Sequence, residues 1–494
     1  MSEAVRARAC AAPDALAVRA ESGSLTFVQL DRQADRLAHV LTGFGVRAGD
    51  RIAWLLHNRS EILLAALAAQ RLGAATVPLS YRLAPAELER VLAVSRARLV
   101  LTENATTAAV TDAAATPTAN VDSEAFAEAL AEAPETPVKA DTSHPDRLGS
   151  GSSIVFTSGT TGSPKGAVRT GGDRKLAEAI AAAFGFTPET RYLAAGPLYH
   201  SGPLTCALMV LARGGTVTLL PRFEPGRWLD TARRHQLDSG FLTPTQLRRL
   251  VLATQSGTPA PTTLRSVVVS GEPFPAALKQ QATQAFGEAF VDCYGCTELG
   301  PLAAMPAGSL LARPTSSGQP FPGVELKAFD GDHPLGPGET GVLRARTPLA
   351  FAGYLDPETG LPARENHDWL TVGDIGYLDH DGYVHLVDRS NDLIITGGVN
   401  VFPADVEAVL AEHPEVRHCA VVGLPDDHWG EIVCAAVVSP AELTVDEIRS
   451  WLAGRIADDK RPRRLVRVAS LPTTDTGKTS RRLLRAALTG QGGQ

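Results

Sequence analysis

The stretch Ser153-Ile154-Val155-Phe156-Thr157-Ser158-Gly159-Thr160-Thr161-Gly162-Ser163-Pro164-Lys165-Gly166 changes character halfway along. Ile154 to Thr157 is a run of hydrophobic and β-favouring residues, the pattern of a buried strand. From Ser158 the composition turns to Gly, Ser and Thr with one Lys. Such a loop suits phosphate: glycines let the backbone come close, hydroxyls and N–H groups donate, and Lys165 adds positive charge. A surface linker has a similar composition, but rarely follows a buried strand so abruptly or ends in Pro-Lys-Gly. The usual nucleotide P-loop needs Gly, four residues, then Gly-Lys-Ser/Thr. Counting on from Gly159, Pro164 occupies the second glycine position and Gly166 follows Lys165. Gly477-Lys478-Thr479 ends like such a loop, yet Pro472 stands where its first glycine belongs. An ordinary P-loop ATPase or kinase is thereby set aside.

A chain of 494 residues exceeds one ordinary core and should divide into at least two domains. Hydrophobic residues at 44% and charged residues at 20% describe a soluble globular protein. The net charge of −7 argues against a nucleic-acid partner held by bulk charge. No apolar run approaches a membrane span, and the first residues lack the continuous apolar region of a signal peptide. Six cysteines in so long a chain make no disulfide framework. Together these features point to the cytosol. Cys293-Tyr294-Gly295-Cys296 spells C-x-x-C, but no second pair lies near it, so redox or zinc chemistry is the weaker reading.

Upstream of the loop, strand and helix alternate. Thr26 introduces a helical stripe to Phe44, Arg51 to Leu56 is strand-like, and Ser60 is positioned to cap a helix that ends at Gly73. Ala75 to Leu79 is a strand, Pro85 to Val94 a helix, and Arg98 to Thr102 a strand. This order predicts a largely parallel α/β architecture. Ala105 to Ser152 is expected to be a loose connection with one helical piece near Ser123 to Ala133. Downstream, Asp173 to Phe184 is helical, Thr216 to Leu220 a strand, Trp228 to His235 a helix and Leu264 to Val269 a buried strand. The last runs into Ser270-Gly271-Glu272-Pro273. Ligands in open α/β sheets bind at strand carboxyl ends, so this turn can line a cleft. Beyond Ser390-Asn391 the pattern shortens into α+β units.

The wording Thr157 to Gly166 closely resembles the phosphate loop of the adenylate-forming superfamily, which includes acyl-CoA synthetases, peptide-synthetase adenylation domains and beetle luciferases. Further stretches match it in chain order. Tyr294-Gly295-Cys296-Thr297-Glu298 resembles its Tyr-Gly-x-Thr-Glu. That likeness implies an aromatic face for the purine from Tyr294, a hydrogen bond to the α-phosphate from Thr297 and a hard oxygen ligand for Mg²⁺ from Glu298. By the same resemblance Thr157, Ser158, Gly159, Thr160, Thr161, Gly162 and Lys165 hold the ATP phosphates, and Gly271, Glu272 and Pro273 contact adenine. His200, in Leu198-Tyr199-His200-Ser201-Gly202, positions the carboxylate. Asp374 accepts the ribose hydroxyls in a Thr-Gly-Asp segment spelled with Val372 inserted, and Arg389 contacts ribose and phosphate. Gly398, in Gly397 to Pro403, forms part of the thiol tunnel of relatives that use CoA. Lys478, in Pro472 to Arg481, corresponds to the catalytic lysine.

The resemblance covers nearly the whole chain and implies a large AMP-binding domain over 1–389, a hinge at 390–391 and a small mobile domain over 392–494. Asn391 replaces the usual Asp or Lys at the hinge. The implied activity is ATP-dependent activation of a carboxylic acid as acyl-adenylate, with release of pyrophosphate, then transfer to CoA. A stand-alone enzyme serving a separate carrier protein, a luciferase-like oxidase and a non-catalytic nucleotide-binding regulator are the alternatives. Retention of Lys478 counts against the regulator. Amino-acid-activating relatives hold the α-amine with an aspartate after the histidine segment. None follows His200, so an acid without an α-amine is expected, in an apolar pocket near Gly300 to Ala304.

Overall fold

The computed structural model describes residues 1–83, 85–113, 116–138, 148, 151–157, 165–363, 368–371, 373–389, 392–396, 399–426, 429–456, 458–474 and 478–490. A large mixed α/β domain carries three sheets, and a smaller C-terminal α+β domain carries a fourth.

Local sequence explains the first elements. In the helix Phe27–Gly43, the Thr26 hydroxyl accepts from Gln29 N while the Gln29 side chain accepts from Thr26 N. This reciprocal cap satisfies two donors that the first turn leaves orphaned. Leu30, Ala34, Leu37, Ala38 and Leu41 form its buried stripe. The helix Ser60–Leu72 departs from expectation at its start. Arg59 is the cap residue and makes no side-chain cap bond, while the Ser60 hydroxyl donates to Glu61. Its end agrees: Gly73 closes it in the left-handed region, at φ +72°. The segment expected to be loose holds more order. Thr107–Ala113 is helical, and Thr118–Asn120 pairs in parallel with Leu99–Thr102.

The eight-stranded sheet has a parallel centre ordered Ser153–Thr157, Ala75–Pro78, Arg51–Leu55, Leu99–Thr102, Thr118–Asn120. Lys165–Arg169 then adds antiparallel to Ser153–Thr157, and Gly353–Leu355 adds to Lys165–Arg169. The nine-stranded sheet has Arg191–Ala194, Ser239–Leu242, Ser266–Ser270 and Phe290–Cys296 side by side in parallel. The five-stranded sheet, from Glu325–Asp330 to Val384–Arg389, is antiparallel throughout, so the parallel expectation holds for two of the three sheets.

In the small domain His418–Asp426 and Gly430–Val438 form a long antiparallel pair, and Arg464–Arg467 adds in parallel. The helices Pro403–Leu410 and Val445–Leu452 bury Val406, Leu410, Ile448 and Leu452 with Val421 and Val433, a core separate from those of the large domain. The hinge expected at 390–391 lies outside the described residues. No helix among the described residues is long and apolar enough to cross a membrane.

Candidate active site

Thr157 pairs with Lys165 in the antiparallel register that joins the strands Ser153–Thr157 and Lys165–Arg169. Ser158, Gly159, Thr160, Thr161 and Gly162 themselves lie outside the described residues. Lys165 is exposed, with Nζ 5.3 Å from the centre of the Tyr354 ring.

The strand Phe290–Cys296 delivers the next group. A Cβ on Gly295 would lie 2.4 Å from the Gly300 carbonyl oxygen, so only glycine lets the chain fold back so tightly. Tyr294 is buried, and its hydroxyl donates to Asp374 Oδ2 at 2.8 Å. Two residues expected at opposite ends of one nucleoside therefore touch. Arg389 pairs with Asp374 through the backbone, on the neighbouring strand. Thr297 and Ser201 hydroxyls lie 3.5 Å apart, which joins the Thr-Glu turn to the helix that follows His200. Glu298 is 9% exposed and accepts from the Tyr354 hydroxyl at 2.9 Å. Cys293 and Cys296 form no disulfide, and burial pushes both thiols up, Cys296 to about 12. In the stretch expected to line an acyl pocket, Leu302 and Ala303 instead pack into the core.

The turn after Ser266–Ser270 meets the small domain. Gly271 has φ +92°, and a Cβ there would lie 3.0 Å from Lys478 Nζ and 3.1 Å from its Cε. Glu272 is fixed by the Thr245 backbone N–H at 3.0 Å and hydroxyl at 2.8 Å, both to Oε2, while its Oε1 is buried with no hydrogen-bond partner among the described residues. Burial raises this carboxyl above its ordinary range, against the Thr245 bonds and the Lys478 and Arg248 charges that pull it down. Lys478 is held in a small loop: Thr474 N donates to its carbonyl at 2.6 Å, and Thr473 and Thr479 form a bridge around it. Arg481 anchors the start of the final helix to Asp392 at 2.8 Å and Glu407 at 2.7 Å. Gly398 lies outside the described residues.

His200 precedes the helix Ser201–Arg213, and its Nε2 is buried with no hydrogen-bond partner among the described residues. Burial first, then the Lys478 and Arg82 charges, push the imidazole down to about 3. A base depressed this far takes a proton only below that value, so the ring is neutral from pH 5 to 9. The pH–rate profile of the reaction should therefore show no acidic limb near 6.5 that disappears in His200→Ala. Such a limb would mean that the ring titrates in solution-like surroundings.

Asn58 was not singled out by sequence reasoning. Its amide donates to the Gly196 carbonyl at 2.8 Å and the Leu220 carbonyl at 3.0 Å, and its oxygen accepts from Leu198 N at 2.8 Å. These bonds fix the turn that leads to His200. Its position between a buried strand and a helix, at a strand carboxyl end, was the available signal. Tyr354 was missed too, because its partners lie far away in sequence.

Residues 5–355 match the model of the AMP-binding enzyme family, and residues 405–478 match its C-terminal domain. The chain belongs to the AMP-binding enzyme family. Within this adenylate-forming superfamily it is 35% identical to a feruloyl-CoA synthase of an Amycolatopsis species, over 95% of each chain. It superposes with a TM-score of 0.85 on the o-succinylbenzoate CoA synthetase of Bacillus subtilis in complex with an acyl-adenylate intermediate. That protein is 29% identical, and the match covers 98% of this chain and 97% of the other. An amide bond synthetase from Marinactinospora thermotolerans superposes with a TM-score of 0.85 at 30% identity over 99% of both chains. This family member is accordingly an acid–thiol ligase that uses ATP to activate a carboxylic acid as its adenylate.

Among the described residues no group of three His, Cys, Asp or Glu side chains could hold a metal. A buried carboxylate beside a hydroxyl, at Glu298 and Thr297, fits a cation held mainly by phosphate oxygens. Mg²⁺ takes few protein ligands in such sites.

Proposed function

We propose that this ligase activates an aryl carboxylic acid without an α-amine and passes the acyl group to CoA. The observation that carries the adenylation step is Lys478, brought from the small domain to the Gly271–Glu272 turn and near His200. The substrate class is supported by two relatives whose names denote acids with an aromatic ring, and by the lack of an acidic residue in Leu198 to Gly202.

In the first step a carboxylate oxygen attacks the α-phosphorus of ATP, forming the acyl–phosphate bond as pyrophosphate leaves. One anion approaches another, so catalysis is chiefly charge neutralisation and alignment. Lys478 bridges carboxylate and α-phosphate, Thr297 donates to the α-phosphate, and Lys165 with the Ser158 to Gly162 loop holds the outgoing phosphates. Mg²⁺, when bound at Glu298, supplies further neutralisation of phosphate charge. Neutral His200 orients the carboxylate without competing for its charge. Asp374 and Arg389 hold the ribose, and Gly271, Glu272 and Pro273 border the adenine. In the second step the small domain, 392–494, turns on the large domain, 1–389, about the 390–391 hinge. Lys478 withdraws, the Gly398 loop faces the thiol, and sulfur displaces AMP from the acyl carbon. We place this chemistry in the cytosol, where ATP and CoA are both held.

Pyrophosphate exchange and release across an acid panel, with and without CoA, tests the reading. Ferulate, 2-succinylbenzoate, a fatty acid and an amino acid should be compared. Aryl acids should support exchange without CoA, and a thioester should form only when CoA is added. Faster exchange with the fatty acid or amino acid overturns the substrate class. Adenylate that accumulates untouched by CoA points to a carrier protein or an amine as acceptor.

A further inference from the structure

Tyr354 sits in the short strand Gly353–Leu355, paired with Ala167 in the strand that Lys165 opens. Its hydroxyl donates to Glu298 Oε1 at 2.9 Å, and the Lys165 ammonium lies over its ring. Three residues upstream, Phe351 N donates to the Glu298 carbonyl at 2.7 Å, and the Phe351 ring packs edge-on against Tyr354 at 5.0 Å. One four-residue segment thus grips Glu298 by main chain and side chain together.

The segment is itself anchored from behind. The Arg51 guanidinium, buried, donates to the carbonyls of Ser95, at 2.7 Å, and Gly360. Arg96 donates to the carbonyls of Thr359, at 2.9 Å, Glu358 and Pro357. These bonds hold the loop after Leu355, so the Tyr354 hydroxyl is presented from a fixed backbone. A carboxylate can accept several hydrogen bonds, so a phenol on Oε1 still allows the group to meet a cation. The phenol does restrict the direction in which that carboxylate points.

We infer that Tyr354 is a positioning residue that sets the Glu298 carboxylate for the divalent cation on the ATP phosphates. This rests on Glu298 being the cation's protein ligand. A single hydrogen bond to a charged group is large enough to matter at this scale.

Tyr354→Phe in the full chain is the test, because it removes the hydroxyl and keeps the ring over which Lys165 lies. Half-saturating Mg²⁺ for pyrophosphate exchange should rise about tenfold, which corresponds to about 1.4 kcal/mol. Mn²⁺ binding to the enzyme–ATP complex, followed by electron paramagnetic resonance, should weaken by the same factor. The KM for the acid and the melting temperature should stay as in the parent. Unchanged metal affinity in Tyr354→Phe, with a clear loss in Glu298→Gln, overturns the role of Tyr354 alone. Unchanged metal affinity in Glu298→Gln overturns the ligand assignment beneath it. A Tyr354→Phe variant that melts early with unaltered metal response would make the tyrosine purely structural, which also overturns the inference.

Discussion

Lys478→Ala should lose pyrophosphate exchange by about three orders of magnitude while the chain stays folded. Two unit charges about 4 Å apart at an effective dielectric near 20 interact by roughly 4 kcal/mol. Realised only in the transition state, that is about a thousandfold in rate. The ammonium is brought from the small domain to the Gly271–Glu272 turn of the large one. Lys478 Nζ is within 3.0 Å of the Cβ position of Gly271, and its charge acts on both Glu272 and His200. The loop that carries it does not depend on the charge. Thr473, Thr474, Pro472 and Ser480 close the loop through backbone bonds, and Arg481 ties it to Asp392 and Glu407. The melting temperature should therefore hold. Supplied with preformed acyl-adenylate, the variant should still make thioester, since the proposed domain rotation takes Lys478 out of the cleft before that step. Exchange within tenfold of the parent would refute the assignment. Equal loss of both half-reactions would indicate damage to the small domain instead.

The contrast between Lys478 and its surroundings shows what a sequence carries and what it does not. Residues whose role is set by near neighbours were legible. Thr26 opens its own helix, Gly73 ends one, and the run Ile154 to Thr157 is a strand because its residues are hydrophobic or β-favouring in succession. The Ser201–Arg213 helix has an ambiguous start, because Gly202 and Pro203 fall in its first turn, where proline does not break a helix. The antiparallel sheet from 325 to 389 was passed over for another reason. Charged residues such as Lys327, Arg344 and Arg346 share its strands with the buried Leu326, Ala328, Leu343 and Ala345, so no continuous apolar run marks them. Thr297, Glu298 and Asp374 stood out by motif, and each makes a defined contact, with the hydroxyls of Ser201, Tyr354 and Tyr294 respectively. Tyr354, which holds Glu298, and Asn58, which fixes the turn before His200, act through hydrogen bonds to residues more than fifty positions away. Nothing local marks such a contact.

Lys279 is the extreme case, and its replacement by methionine should cost the large domain about 3–5 kcal/mol, the usual cost of breaking a buried ion pair. A lysine in a helix is ordinarily a solvated charge, yet this one is 1% exposed. Its Nζ lies 2.8 Å from Asp292 Oδ2, donates to the Ser316 carbonyl at 2.7 Å and sits 5.4 Å from the centre of the Phe274 ring. Asp292 is two residues before Tyr294 on the same strand, so the pair ties the helix Ala276–Phe286 to the strand that carries Tyr294 and runs into the Thr297–Glu298 turn. Burial raises the Asp292 carboxyl above its ordinary range even with the ammonium beside it. Removing the ammonium raises it further and leaves a carboxylate with little compensation. An acid whose folded pKa lies above its unfolded value loses stability as pH rises between the two, because the unfolded chain gives up its proton first. The deficit of Lys279→Met should accordingly be largest at neutral pH and shrink as the medium is acidified toward the raised value. The double variant Lys279→Met with Asp292→Leu should recover most of the loss, since apolar residues can replace a buried pair where a lone charge cannot stay. Denaturant unfolding of the two variants at pH 7 and pH 5 checks both points. A single variant as stable as the parent, or a double variant no better than the single, would mean that burial at this site is not governed by the ion pair.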